Sequence, residues 1–280
     1  MEIIPHQGTS LISVARGMMG MLVLISIAYA LSNDRRNIPW KVVGIGLLTQ
    51  IIIAIGVIKI AWIKSFFEFI SQFFVKLLEY TQAGTEMLLG TFANTDQYGF
   101  VFVFQALPII IFFSALTSIL YYFGILQKIV KGLAWSLRKF LKISGSESLA
   151  VAGNIFLGQT EAPLLIKAYL KKMTPSEIFL VMVGGMATVA GSVMGAYIGF
   201  LGGTDPVQRL AFAKSLLAAS VMAAPGAVVI AKIMFPQKNE IPELTAIQRE
   251  NVGDSFLNAI SNGTAEGGRM GGKAGAMRWG

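Results

Sequence analysis

Long apolar runs alternate with short charged segments along this chain. The hydrocarbon core of a bilayer is ~30 Å thick, which requires about 20 residues of apolar helix. The runs that meet this requirement are 11–31, 40–60, 100–123, 177–201 and 209–235. We therefore expect an all-α, polytopic membrane protein with about five transmembrane helices. No cleavage site for a signal peptide follows the first run, so we expect that helix to be retained.

Two further segments are amphipathic. In 61–80, polar residues recur every three or four positions and large aromatic residues occupy the other side. This spacing predicts a helix lying in the membrane interface, and the alternative is a helix packed on another part of the protein. The second segment, 124–143, is basic. Its cations are Lys128, Lys131, Arg138, Lys139 and Lys142.

The segment between this basic helix and the next cations is too short to cross the membrane twice. Lys167, Lys171 and Lys172 follow without a full span in between. The two apolar arms, 149–157 and 164–170, are each shorter than a transmembrane helix. We therefore expect a re-entrant helical hairpin over 144–172, which enters and leaves the membrane on one side.

The tip of that hairpin is polar. Residues 154–163 contain four side chains that can bond a ligand, namely Asn154, Gln159, Thr160 and Glu161. A carboxylate at membrane depth is costly unless it is paired or lines a wet cavity, so it marks a functional site by default. Gly158 and Pro163 bracket the cluster, and a broken backbone frees carbonyl and amide groups for a ligand.

The span 177–201 carries small and hydroxyl residues. Gly191, Gly195, Gly199 and Gly203 recur every fourth residue, a spacing that permits close helix packing. A threonine in a membrane helix, such as Thr188, most often bonds its own helix. The polar hairpin nearby in sequence makes a binding role for Thr188 equally plausible.

Charge placement predicts the orientation. Arg35 and Arg36, in the loop between the first two spans, indicate a cytoplasmic loop and an N-terminus outside. Lys232 and Lys238 then mark a cytoplasmic end of the last span. Beyond it, we expect a polar helix over 239–262 and a glycine-rich, disordered tail. The predicted segments are 1–60, 61–80, 98–143, 144–172, 175–235 and 239–280.

Composition supports a membrane protein and no enzyme. The chain of 280 residues is 54% hydrophobic and 14% charged, whereas a soluble domain has roughly 25% charged residues. Its formal charge of +8 lies mostly between the apolar runs, which fits membrane orientation better than nucleic-acid binding. There are no cysteines, and the single histidine, His6, is near the N-terminus. Glu161 as the base of a hydrolase would lack a second catalytic group.

Two motifs carry a resemblance to a known family. Residues 153–164, Gly-Asn-Ile-Phe-Leu-Gly-Gln-Thr-Glu-Ala-Pro-Leu, resemble the signature of the concentrative nucleoside transporters. Residues 184–197 are similar to the helix that follows it in that family, and the loop 32–36 is also similar. The resemblance implies a cation-coupled nucleoside symporter, a homotrimer in the bacterial inner (plasma) membrane.

The resemblance also implies residue roles. Gln159, Thr160, Glu161 and Val193 would contact the nucleoside. Asn154, the Leu157 carbonyl, Thr188 and the Val189 carbonyl would bind sodium. The asparagine favours sodium over the alternative of proton coupling, and no other cofactor is expected.

The chain ends before the second half of the family pattern. The family continues with a second hairpin, which holds the ribose, whereas here the match breaks down in the glycine-rich tail. We therefore expect a truncated or frame-shifted product that carries half a transport site. The alternatives are an inactive fragment and a membrane interaction protein without transport.

Overall fold

The computed structural model describes residues 11–94, 98, 101–159, 162–167, 169–203, 205–237 and 255–276. This part of the chain contains helices and no strands, as the sequence predicted. The α-helices are α1 (Leu11–Ala30), α2 (Trp40–Lys59), α3 (Ala61–Leu89), α4 (Phe102–Tyr122), α5 (Ile125–Leu141), α6 (Gly145–Asn154), α7 (Pro175–Ala187), α8 (Gly191–Gly202), α9 (Pro206–Met234) and α10 (Phe256–Ala276).

Five helical segments are long and apolar enough to cross a membrane. They are α1, α2, α4, the α7–α8 pair and α9, and they match the five predicted runs. The fourth differs from an unbroken span because the helix stops at Ala187 and resumes at Gly191. The predicted fold class is confirmed, and the interruption becomes part of the candidate site.

Helix α9 lies at the centre of the described structure. It packs against α2, α3, α7 and α8. Its buried side chains are mostly small and aliphatic, among them Ala224, Ala227, Val228 and Ala231, which contact residues of α6 and α7. Small residues let neighbouring helices approach closely in an apolar environment. Helix α9 therefore packs closely against the first arm of the hairpin.

Helix α3 is longer than the predicted interfacial segment and packs on the protein along one face. Phe67, Val75 and Leu78 are buried against α4, α8 and α9, which agrees with the alternative of a packed helix. The opposite face exposes large aromatic residues. These are Trp62, Phe66, Phe69 and Phe73.

The described part of the glycine-rich tail is helical up to Ala276, so the prediction of a disordered tail is wrong for these residues. Helix α10 lies along α4, and Ser118 Oγ donates a hydrogen bond of 2.7 Å to the Ala259 carbonyl. A Cβ on Gly267 would lie 2.8 Å from Ile111 Cα, and one on Gly263 would lie 2.6 Å from Ser118 Cβ. The glycines that weaken an isolated helix here allow two backbones to touch. Most of the predicted polar helix at 239–262 lies outside the described residues.

A pair of adjacent glycines tests this packing. Gly267→Ala should destabilise the protein by ~1–3 kcal/mol, because the added methyl meets backbone atoms of α4 that cannot move freely. Gly268→Ala should be stabilising by up to ~1 kcal/mol, since open space surrounds Gly268 and alanine favours helix. The free energy of unfolding in detergent micelles measures both. Equal stability of the two variants would contradict the close contact.

Candidate functional site

Matching capping boxes mark the two ends of the hairpin. At the start of α6, the Glu147 amide donates to Ser144 Oγ (3.0 Å) and the Ser144 amide donates to Glu147 Oε2 (2.9 Å). At the start of α7, just after the hairpin, Thr174 and Glu177 make the same reciprocal pair. Each box satisfies amides that the first turn of a helix leaves without partners.

A buried polar cluster joins these two ends. Ser146 Oγ donates to Glu177 Oε1 at 3.1 Å. Lys232 of α9 donates to Glu147 Oε1, and also to Ser176 Oγ at 3.2 Å. The segment therefore begins and ends at one place in the fold, as a hairpin requires. Lys232 is 4% exposed, so this lysine at the end of the last span also holds the two ends of the hairpin together, a role that the sequence did not indicate.

The two arms of the hairpin touch near its tip. The chain leaves α6 at Asn154, turns, and returns as short 3-10 helices over Ala162–Ile166 and Leu170–Lys172. A Cβ on Gly153 would lie 2.8 Å from Leu165 Cδ1 and 3.4 Å from Ala162 Cβ. Glycine at this position allows the return arm to lie directly against α6.

The tip rests on the interruption between α7 and α8. The Gly191 amide, at the start of α8, donates a hydrogen bond of 2.9 Å to the Phe156 carbonyl. A Cβ on Gly191 would lie 3.1 Å from that oxygen, so a side chain would crowd the contact. Ser220 Oγ of α9 donates to the Ile155 carbonyl at 3.1 Å. Two helices thus hold the backbone of the tip.

Asn154 is the most unusual side chain at the tip. It is 0% exposed, and neither its Oδ1 nor its Nδ2 has a hydrogen-bond partner within the described structure. A Cβ on Gly184 of α7 would lie 3.0 Å from Asn154 Nδ2, and one on Gly185 would lie 2.9 Å from Gln159 Cβ. Buried polar groups are nearly always paired, so an unpaired amide in such a setting points to a ligand.

Comparisons with known proteins agree with this geometry. The chain matches the N-terminal model of Na+-dependent nucleoside transporters over residues 19–92 and the C-terminal model over 215–278. A nucleoside-recognition gate model matches 103–204. Together these matches cover most of the chain, including the hairpin and the break between α7 and α8. The chain belongs to the concentrative nucleoside transporter family.

Individual members of this family resemble most of the chain. Sodium/nucleoside cotransporter 1 of Rattus norvegicus is 42% identical over 221 residues, which are 79% of this chain and 32% of the relative. An uncharacterized transporter of Haemophilus influenzae is 38% identical over 95% of this chain and 62% of its own length. The solved structure of CNTnw in an inward-facing substrate-bound state has a TM-score of 0.85 and 34% identity, over 94% of this chain and 63% of CNTnw.

The chain therefore spans about a third of the cotransporter and under two thirds of the other two proteins. The match of the C-terminal model reaches residue 278. The prediction that the family pattern breaks down in the glycine-rich tail is therefore wrong.

The structure brings the four candidate sodium ligands to adjoining segments. Asn154 and Leu157 flank the carbonyl that Gly191 binds, and Thr188 and Val189 form the extended stretch just before Gly191. Thr188 Oγ1 donates to the Gly184 carbonyl at 2.8 Å, the local bond considered as the alternative. That bond uses the hydroxyl proton and leaves oxygen lone pairs for a cation.

The candidate nucleoside contacts are less completely described. Gln159 is exposed at the tip, and Val193 is half-buried in the first turn of α8. Thr160 and Glu161 lie outside the described residues.

The glycines that recur every fourth residue from Gly191 to Gly203 differ in what they contact. Gly195 faces the Phe113 ring of α4, Gly199 faces Ile109, and Gly203 faces open space. The prediction of close packing therefore holds for Gly191, Gly195 and Gly199, although side chains rather than backbone atoms lie next to Gly195 and Gly199.

Sequence reasoning missed several residues that build the site. Gly184, Gly185 and Ser220 position the tip, yet a small residue in an apolar helix does not reveal which segment packs against it. The capping boxes did carry one, because Ser144 and Thr174 each precede a glutamate by three residues.

Proposed function

We propose that this chain serves sodium-coupled symport of nucleosides across the bacterial plasma (inner) membrane, as a subunit of a homotrimer. The observation that carries the proposal is the buried Asn154 amide beside the broken α7–α8 helix, for which the described residues offer no hydrogen-bond partner. Family membership and five candidate spans support a multi-pass transporter rather than an enzyme.

Sodium would bind where the hairpin tip meets the helix break. The donors there are oxygens: the Asn154 amide, the Thr188 hydroxyl and the carbonyls of Leu157 and Val189. Unwound carbonyls beside polar side chains are a recurrent way to coordinate sodium in transporters. Because sodium would satisfy Asn154 Oδ1, ion binding would fix the tip against α7 and prepare the neighbouring nucleoside contacts.

The nucleoside would bind next to the ion, at the remaining tip residues. An amide, a hydroxyl and a carboxylate, from Gln159, Thr160 and Glu161, can together meet the donors and acceptors of a base edge. Val193 would add an apolar contact from α8. Ion and nucleoside would thus share one loop, which links their binding energetically.

Uridine uptake tests the proposal. Cells without their own nucleoside transport, expressing this chain, should accumulate uridine in sodium medium and lose most of that uptake when choline replaces sodium. A pH gradient that drives uptake equally well without sodium would instead support proton coupling. Absence of both uptake and uridine binding would contradict the proposed function and favour a membrane interaction protein. Chemical cross-linking in the membrane should yield a trimer.

Glu161→Gln tests the nucleobase contact. The change keeps the side-chain shape but removes its charge, and a hydrogen bond to a charged group is worth ~1.5–3 kcal/mol. We expect the dissociation constant for uridine, measured in saturating sodium, to rise roughly tenfold to hundredfold. Glu86→Gln, on an exposed position of α3, is the control and should leave it unchanged. Equal affinities in both variants would remove Glu161 from the site.

A further inference from the structure

Helix α5 presents a cationic and apolar face to the outside of the protein. Its opposite face, with Leu126, Val130 and Ala134, is buried in a cluster that includes hairpin residues such as Leu149 and Leu165. The outer face carries cations at helical spacing. They are Lys128, Lys131, Lys139 and Lys142.

Among the described residues, no acidic side chain pairs with these lysines. The helix contains no Asp or Glu. Lys139 Nζ lies 5.1 Å from the centroid of the Trp135 ring, an attractive contact that still leaves the ammonium able to meet an anion.

Apolar side chains share the outer face with the cations. Trp135 is 65% exposed and Phe140 is 57% exposed, and Ile125 and Ile129 are also exposed. A soluble partner with an acidic surface would meet the lysines but leave these four side chains without an apolar contact. A lipid surface matches both features, because acyl chains take the apolar groups and headgroups take the cations.

The position of α5 favours the same partner. Helix α4 is a candidate span that ends at Tyr122, and the left-handed Gly124 (φ +71°) turns the chain directly into α5. The exposed aromatics Tyr122 and Phe123 lie at this turn, as is common at a membrane boundary. Helix α5 therefore starts where phospholipid headgroups lie.

We propose that the outer face of α5 binds the phosphate headgroups of anionic phospholipids. Lys128, Lys131 and Lys139 contact the phosphates, and Trp135 inserts among the upper parts of the acyl chains. Since the inner face packs on the hairpin, this lipid contact lies one helix away from the candidate transport site.

Tryptophan quenching tests the proposal without any transport assay. The full chain, with Trp40, Trp62 and Trp279 replaced by Phe, keeps Trp135 as its sole tryptophan. It is reconstituted in vesicles of equal parts phosphatidylcholine and phosphatidylglycerol, with bromine on the acyl chains of one lipid or the other. We expect brominated phosphatidylglycerol to quench Trp135 about twofold more strongly than brominated phosphatidylcholine, because lysines enrich anionic lipid around them.

Matched lysine variants test whether the lysines of α5 cause the preference for phosphatidylglycerol. Changing Lys128, Lys131 and Lys139 to Gln should equalise the two quenching values. Changing Lys59, Lys64 and Lys76 to Gln, at exposed positions on or near α3, should leave the preference for phosphatidylglycerol intact. Equal quenching in the parent protein, or an unchanged preference in the α5 variant, would overturn the proposal. Absence of quenching by either lipid would also overturn it, and would indicate that a protein surface covers α5.

Discussion

Lys232→Met should destabilise the protein by ~3–5 kcal/mol, because it leaves the Glu147 carboxylate buried without its cation. Glu147 is 0% exposed, and its Oε1 accepts from Lys232. Methionine retains most of the apolar length of lysine, so the loss reflects charge rather than volume. The free energy of unfolding in mixed detergent micelles measures the effect.

Two comparisons separate this effect from a general cost of altering α9. Adding Glu147→Gln to Lys232→Met removes the unpaired charge and should restore most of the lost stability. Lys214→Met, in the same helix, breaks a partly exposed pair with Glu68 at 3.6 Å and should cost less than about 1 kcal/mol. If Lys232→Met costs no more than Lys214→Met, the buried cluster does not hold the hairpin.

Asn154→Leu should abolish the response to sodium while leaving the fold at least as stable as before. Leucine has the same branching and number of side-chain heavy atoms, but no oxygen for a cation. An unpaired buried polar group costs ~1–3 kcal/mol, and the Asn154 amide atoms have no partner in the described structure. Without sodium, the variant should therefore match or exceed the stability of the parent.

In sodium, the parent protein should instead become more stable, whereas Asn154→Leu should not. A ligand at about 100 times its dissociation constant stabilises the folded state by ~2.7 kcal/mol. The melting temperature of the parent should rise with sodium and not with choline at equal ionic strength, whereas that of Asn154→Leu should not change. A sodium response of equal size in both proteins would place the ion elsewhere.

The five spans could be predicted because bilayer thickness imposes a length on any apolar helix. The hairpin could be predicted by the same reasoning, since the arms beside Lys142 and Lys167 are too short to cross. The interruption at 188–190 could not, because residues 177–201 read as a continuous apolar run. At this interruption the Gly191 amide donates a hydrogen bond to the Phe156 carbonyl. A contact between residues so far apart in the sequence leaves no local pattern.

Lys232 and the glycine-rich tail show where local patterns mislead. A lysine at the end of an apolar run is typical of a cytoplasmic boundary, but its partner Glu147 lies 85 residues earlier in the chain. Gly263, Gly267 and Gly271 have the four-residue spacing that predicted close packing in α8. The same spacing could have predicted a helix here, had the low helix propensity of glycine not outweighed it.

Cysteine labelling tests most directly whether the chain turns back on itself and so carries a polar tip to the broken helix. The protein has no cysteine, so Lys142→Cys, Lys172→Cys and Val207→Cys each introduce a single exposed thiol. A membrane-impermeant maleimide, applied to sealed vesicles of either orientation, should label Lys142→Cys and Lys172→Cys from the same side. Val207→Cys, beyond the α7–α8 span, should be labelled only from the other side. Labelling of Lys142→Cys and Lys172→Cys from opposite sides would contradict the hairpin and the site built on it.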